Sequence, residues 1–275
     1  MQRYQLTYNN SLISYLRFGS GPKAAFCFHG YGEEAGSFSF LEKYAGDLYT
    51  FYAIDLPFHG QTQWNEGLNF IIEDLQSILD EILRRDSQQP ETGNRKYALI
   101  GFSLGGRLAL SLYEKMPEPI EKIILLAPDG LKVNFWYWLS TQTWIGNKLF
   151  SLTMKYPGWF FGFLKILNKL GFVNASIFKF VNYYIGDKNA RWLLYARWTG
   201  LRKIKPGLGK IKSLIRNNKT SVRLIYGIHD RIILPARGEK FRKGIEGHCI
   251  LSVIHSGHQV LHEKHVKEIL PALLH

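Results

Sequence analysis

The sequence predicts an α/β fold: a mostly parallel central sheet with helices on both faces and one inserted helical segment. Three observations carry this. Two leading strand-like runs are followed by apolar runs of strand length that alternate with helical stretches, the order that produces a parallel sheet covered on both faces. A Gly-x-Ser-x-Gly pentapeptide, Gly101-Phe102-Ser103-Leu104-Gly105, lies between an apolar run and a helical one. Composition then changes abruptly: residues 131–219 hold 16 Lys/Arg and one acid, Asp187, whereas the rest of the chain holds 19 Lys/Arg and 21 acids.

Each element has a local reason. Arg3 to Tyr8 and Leu12 to Phe18 read as strands joined by a hairpin turn at Asn9-Asn10. Ala24 to Phe28 is a buried-type strand ending at His29-Gly30, and Thr50 to Ile54 another, ending at Asp55; Phe38 to Leu48 between them reads as helix. Phe70, Ile71, Leu75, Ile78, Leu79 and Ile82 recur at helical spacing over Phe70 to Leu83. Lys96 to Ile100 is the strand before the pentapeptide, and Leu104 to Met116 the helix after it. Lys122 to Ala127 is a strand closed by Pro128-Asp129-Gly130. Beyond the insertion come strand Val222 to Tyr226, helix Pro235 to Lys243, strand His248 to Ile254 and helix Val260 to Leu273. The expected division is therefore a core of residues 1–130 and 217–275 with an insertion at 131–216.

The bulk numbers fit this plan. A chain of 275 residues with 46% hydrophobic and 21% charged content can bury a substantial core, which argues against general disorder. The start, MQRYQLTYNN, has no apolar run of leader length, and stretches such as Gly158 to Leu164 are too short to span a bilayer. Two cysteines, Cys27 and Cys249, are too few for a disulfide framework and suit a reducing compartment. A soluble, cytoplasmic protein is expected.

In parallel sheets ligands gather at the carboxyl ends of the strands. His29, Asp55, Ser103, Asp129, Asp230 and His258 each follow an apolar run. A serine on a sharp strand-to-helix turn presents its oxygen above the sheet, with helix amides behind it. A hydroxyl becomes a nucleophile when a base takes its proton; imidazole suits that task, and a carboxylate fixes its tautomer. Ser103 could alternatively be a simple helix cap. Asp129 competes with Asp230 for the acid. His255, His262 and His265 surround His258, but no cysteine or carboxylate completes a metal set, and no metal is expected. Asp55, in Asp55-Leu56-Pro57-Phe58-His59-Gly60, is expected to satisfy backbone amides.

His29-Gly30-Tyr31-Gly32, Gly101-Phe102-Ser103-Leu104-Gly105-Gly106, Gly227-x-x-Asp230-x-x-x-Pro235 and Gly257-His258 occur in this order. Together they resemble the α/β-hydrolase superfamily over nearly the whole chain, with the partners in the order Ser, Asp, His. The resemblance implies a serine hydrolase, carboxylesterase-like, working through an acyl-enzyme: Ser103 as nucleophile, His258 as base, Asp230 as its orienting acid. It implies an oxyanion hole from the N–H groups of Tyr31 and Leu104, a substrate-side place for His29, and no cofactor.

The resemblance also makes the insertion a lid. Trp136, Tyr137, Trp138, Trp144, Trp159, Phe160, Phe161 and Phe163 could line an apolar pocket or form the lid's own core. Lys165, Lys169, Lys179 and Arg202-Lys203-x-Lys205 suggest a basic face attracting an anionic or acyl-bearing small molecule, or weakly an anionic membrane surface. No nucleic-acid motif accompanies the charge, and no such partner is expected. The stretch Gly101 to Arg107 is similar, too, to the elbow of the menaquinone-pathway synthases that eliminate pyruvate to give succinyl-hydroxycyclohexadiene carboxylate. That branch often has tyrosine where Phe102 stands. This second resemblance implies a lyase on the same triad, with Arg107 binding a substrate carboxylate; an Arg107 paired with a nearby acid is the competing expectation. A non-catalytic binding protein of the same fold is the third reading.

Overall fold

The computed structural model describes residues 1–86, 96–170 and 185–274. Eight strands form one sheet: β1 (Gln2–Tyr8), β2 (Ser11–Phe18), β3 (Lys23–Phe28), β4 (Tyr49–Ile54), β5 (Tyr97–Phe102), β6 (Ile120–Leu126), β7 (Ser221–Gly227) and β8 (Cys249–Ile254), in the spatial order β1-β2-β4-β3-β5-β6-β7-β8. β1 pairs antiparallel with β2, and β2 with β4; from β4 to β8 every pairing is parallel. The carboxyl ends of six strands therefore share one edge, and the segments carrying His29, Asp55, Ser103, Asp129, Asp230 and His258 leave from it. This is the α/β-hydrolase architecture.

The described helices are α1 (Leu41–Ala45), α2 (Ile72–Arg85), α3 (Leu104–Lys115), α4 (Phe135–Gln142), α5 (Trp144–Lys155), α6 (Gly158–Lys169), α7 (Lys188–Gly200), α8 (Leu208–Asn218), α9 (Pro235–Arg242) and α10 (Val266–Leu274). Their limits follow sequence cues. The Asp74 carboxylate accepts the Ile71 N–H at 2.9 Å, closing the start of α2. Glu73 and Asp74 then sit in its first turn and Arg84 and Arg85 in its last, matching the helix dipole. Leu75, Ile78, Leu79 and Ile82 form its buried stripe. β4 and β5 are buried along their whole length, as strands covered on both faces must be. Phe18 stacks on Phe51 at 5.0 Å and Phe26 meets Tyr97 edge-on at 5.1 Å. Each such fully buried ring contributes about 1.5–3 kcal/mol.

Two expected helices are shorter. The 38–48 stretch holds only the brief α1, and a 3₁₀ turn, Ala35–Phe38, precedes it. The last helix starts at Val266 rather than Val260: Val260 and Leu261 are buried as loop plugs, and the His262 ring accepts the Lys264 N–H to begin a short turn before α10.

The chain divides into two compact units, residues 1–66, 71–132 and 204–275, and residues 67–70 and 133–203. Residues 204–216 of the expected insertion belong with the first unit. Ile204, Ile211 and Ile215 are buried, and the Gly207 N–H donates to Glu114 of α3 at 2.6 Å. The second unit has caps of its own at Asn134, Thr143 and Asp187. Its aromatic centre joins Trp198 to Tyr137 at 5.4 Å and to Phe150 at 5.6 Å. Tyr137 is thus part of the unit's own packing. Lys179 lies outside the described residues. Among the described residues no helix is long and apolar enough to cross a membrane.

Close approach of α3 to β3 predicts a sharp contrast between two glycines. A Cβ on Gly105 would overlap the Phe28 carbonyl, whereas one on Gly209 would meet nothing within 4 Å. Gly105→Ala should lower the unfolding free energy by about 2–3 kcal/mol. Gly209→Ala should raise it by about 0.5 kcal/mol. Urea denaturation of the two variants checks both signs.

Candidate active site

The site starts from one strained residue. Ser103 lies between β5 and α3 with φ 47° and ψ −111°. Positive φ in a residue with a Cβ is unfavourable, about 1–3 kcal/mol, and must be held by its surroundings. Here the Ser103 N–H donates to Leu126 O at 2.9 Å, and Ser103 O accepts the N–H groups of Gly106 at 3.0 Å and Asp129 at 2.8 Å. Glycine at 101 and 106 lets this turn close: a Cβ on Gly101 would press on Gly106 Cα at 2.7 Å, and one on Gly106 on Pro128 Cα at 2.8 Å. The turn thrusts the hydroxyl out over the sheet edge.

Two loops meet it there. His258 Nε2 lies 2.9 Å from Ser103 Oγ, and His258 Nδ1 lies 2.8 Å from Asp230 Oδ2. With a carboxylate on Nδ1, that nitrogen is the donor, leaving Nε2 to accept the serine proton. The Asp230 side chain is fully buried while His258 retains 19% exposure, so the charge is shielded and the imidazole stays within reach of substrate. Burial of a carboxylate demands donors. Asp230 Oδ1 takes them from the backbone of Ile232 at 2.7 Å and Ile233 at 2.9 Å. The Phe102 ring lies 5.4 Å from the imidazole.

Asp129, the rival acid, faces another partner. Its Oδ2 lies 3.5 Å from Arg107 Nε, and its Oδ1 accepts the Gly130 N–H at 2.7 Å. Arg107 is buried beside it. Of the two expectations for Arg107, pairing with an acid is the one realised.

His29 also differs from expectation. It is fully buried; its Nε2 accepts the Leu56 N–H at 3.1 Å, and Nδ1 donates to Gly30 O at 2.8 Å. An acceptor at Nε2 requires the proton on Nδ1. Both nitrogens thus serve the backbone. Asp55 behaves likewise. It is buried, accepting the N–H groups of Ala35 at 2.7 Å and Gln61 at 3.0 Å and pairing with Arg3.

Leu104 opens α3, so its N–H is one of the first-turn amides that have no intrahelical acceptor. Tyr31 lies in the loop after β3, partly exposed, its ring edge-on to His59 at 6.0 Å. That loop is tied by a residue the sequence reading passed over. The Glu33 carboxylate accepts the Gly30 N–H at 3.4 Å and the Gln259 side-chain N–H at 2.8 Å. It thereby links the Tyr31 loop to the residue after His258. The only sequence signal is an acid three positions after Gly30, a turn spacing too common to single out.

The neighbouring histidines stand apart from this chain of contacts. His255 Nε2 is 3.2 Å from His229 Nε2, and His265 is buried at the start of α10. Among the described residues no three His, Cys, Asp or Glu side chains are grouped to hold a metal ion.

Comparison with known proteins places the fold. The sequence model of the Hydrolase_4 family, serine aminopeptidase S33, matches residues 21–265. The chain belongs to this family of α/β-hydrolases. It is 22% identical over 255 residues to the uncharacterized hydrolase YugF of Bacillus subtilis, covering 89% of this chain and 86% of that protein. It is 29% identical over 150 residues to a pimeloyl-acyl-carrier-protein methyl ester esterase of Nitrosospira multiformis, covering 50% of this chain and 53% of the esterase. A carboxylesterase structure from Nitrososphaera gargenis superposes with a TM-score of 0.66 at 16% identity, covering 98% of this chain and 97% of that one. The chain is an α/β-hydrolase-fold enzyme.

The buried ring of His29 yields a prediction for this hydrolase. His29→Ala strands the buried Leu56 N–H and leaves a cavity, so unfolding free energy should fall by about 2–4 kcal/mol. The KM of the folded fraction for a soluble ester should stay within about threefold. Denaturant melts and steady-state kinetics separate this from a substrate-contact role, which would move KM at constant stability.

Proposed function

We propose that this hydrolase cleaves a carboxylic ester through an acyl-enzyme on Ser103. The observation that carries the reading is the unbroken line from Asp230 Oδ2 through the two nitrogens of His258 to Ser103 Oγ, with contacts of 2.8 and 2.9 Å. Ser103 Oγ attacks the carbonyl carbon as its proton passes to His258 Nε2. The oxygen gains negative charge and accepts hydrogen bonds from the Leu104 and Tyr31 N–H groups. Collapse breaks the bond to the alcohol, which leaves with the proton from His258. Water then attacks the acyl carbonyl, His258 takes its proton, and the carboxylic acid departs as Ser103 is restored. Asp230 stabilises the imidazolium formed in each half-reaction.

An ester is favoured over the lyase because Arg107, the residue a substrate carboxylate would require, is already beside Asp129. The matched relatives point the same way: an ester-cleaving enzyme and a carboxylesterase are among them. Residues 67–70 and 133–203, the larger part of them inserted between β6 and β7, are proposed as the lid-type unit that selects the substrate. Cys27 and Cys249, both buried free thiols, support a reducing, cytoplasmic setting.

Hydrolysis of p-nitrophenyl butyrate tests the assignment. Ser103→Ala and Asp230→Asn should each lower kcat by about 10³–10⁴-fold or more, while Asp129→Asn should change it less than about tenfold. Activity surviving in Ser103→Ala overturns the nucleophile. Faster cleavage of an aminoacyl p-nitroanilide than of the ester overturns the ester assignment.

A further inference from the structure

Two helices of the second unit depart from the usual pattern, in which a surface helix turns its polar face outward: they carry apolar residues on the outer face as well. On α5, Trp144, Ile145, Leu149 and Leu152 are exposed, Trp144 and Ile145 at 71% and 72%, while Thr153 and Met154 are buried. At about 100° per residue the exposed residues fall within a single arc, opposite the buried ones. On α6, Trp159, Phe163, Ile166 and Leu170 follow at spacings of four, three and four, the stripe of one helix face; all four are exposed, Leu170 at 63%. Two independent helices thus present apolar stripes outward.

Cations accompany them. Lys148 and Lys155 lie on the exposed arc of α5, Lys148 Nζ 3.8 Å from the Trp144 ring centre and Lys155 Nζ 5.2 Å from that of Tyr156. Lys165 and Lys169 are both exposed along one flank of the α6 stripe. The only acid in residues 131–219 is Asp187, which caps α7. Apolar and aromatic side chains bordered by lysines, with no acid among them, match an interface whose interior is hydrocarbon and whose border is anionic. Trp and Tyr rings held beside ammonium groups suit the headgroup level of a bilayer.

We infer that the α5–α6 face docks this hydrolase on an anionic lipid surface. Charge complementarity favours this occupant: a second copy docking through the same face would set lysines against lysines with no acid to meet them. These two helices lie on such a surface rather than crossing it, since each has 12 residues. The inference does not depend on the ester assignment.

The test is flotation of the 275-residue chain with phosphatidylcholine vesicles, with and without about 30% phosphatidylglycerol, at about 0.1 M and 0.5 M NaCl. Wild type should float with anionic vesicles at low salt and bind at least about tenfold more weakly at high salt or to neutral vesicles. Ile145→Ser with Ile166→Ser, and separately Lys148→Glu with Lys155→Glu, should abolish flotation while circular dichroism stays unchanged. Ser103→Ala should float as wild type does, so loss of the esterase reading leaves this one standing. No flotation of wild type, equal binding to neutral vesicles, or insensitivity to the Ile145/Ile166 pair overturns the inference. So does self-association abolished by that pair in a protein that ignores vesicles.

Discussion

Holding a serine at φ 47° on the tip of a strand is the constraint around which this molecule is arranged. That backbone costs free energy wherever it occurs. It persists because three backbone hydrogen bonds surround it and because Gly101, Gly105 and Gly106 let strand and helix close on one another. Two of those bonds come from the β6 side of the sheet, at Leu126 and Asp129. The same residues thus fix the strand order and aim the hydroxyl. Relaxing Ser103 would require parting α3 from β3 and from the β6 loop together.

The second constraint is electrostatic. Asp230 is a fully buried carboxylate, held by two backbone N–H groups and the imidazole of His258. Such a charge is tolerated only with its donors in place. It therefore dictates the β7 loop and, through His258, the β8 loop. Asp129 shows what the alternative acid does instead: it meets Arg107 and its own loop backbone, consolidating the turn behind the serine. Glu33 completes the frame by joining the loop after β3 to Gln259. Strand ends supply the residues, and short loop contacts supply their geometry.

Much of this was legible in the chain. The Asn9-Asn10 turn and the buried apolar runs placed all eight strands, because a sheet covered on both faces leaves little freedom in what its strands can contain. The elbow was legible because few residues other than glycine permit its close approaches. Places after apolar runs gave six polar candidates, and the resemblance to the α/β-hydrolase motifs singled out Ser103, Asp230 and His258 among them. His29 was not legible in this way, since a polar residue at a strand end reads the same whether it faces substrate or, as buried His29 does here, satisfies a backbone amide. Arg107 was ambiguous for a similar reason: one helical turn from Ser103 places it near both Asp129 and the site, and only coordinates decide between them. Glu33 was missed because its two partners are far apart in sequence. The insertion's end at 216 differs from the compact unit's end at 203, because the basic composition runs on through α8, whose buried Ile211 and Ile215 group it with the first unit.

The central claim is that the Ser103 oxygen becomes covalently acylated during turnover. Acid quenching within the first turnover of p-nitrophenyl butyrate, followed by mass spectrometry of the peptides, examines that bond itself. A butyryl group on the peptide containing Ser103, rising with the p-nitrophenol burst and decaying with hydrolysis, is the predicted result. Sustained turnover with that peptide unmodified, or with the acyl group on another residue, would contradict the account.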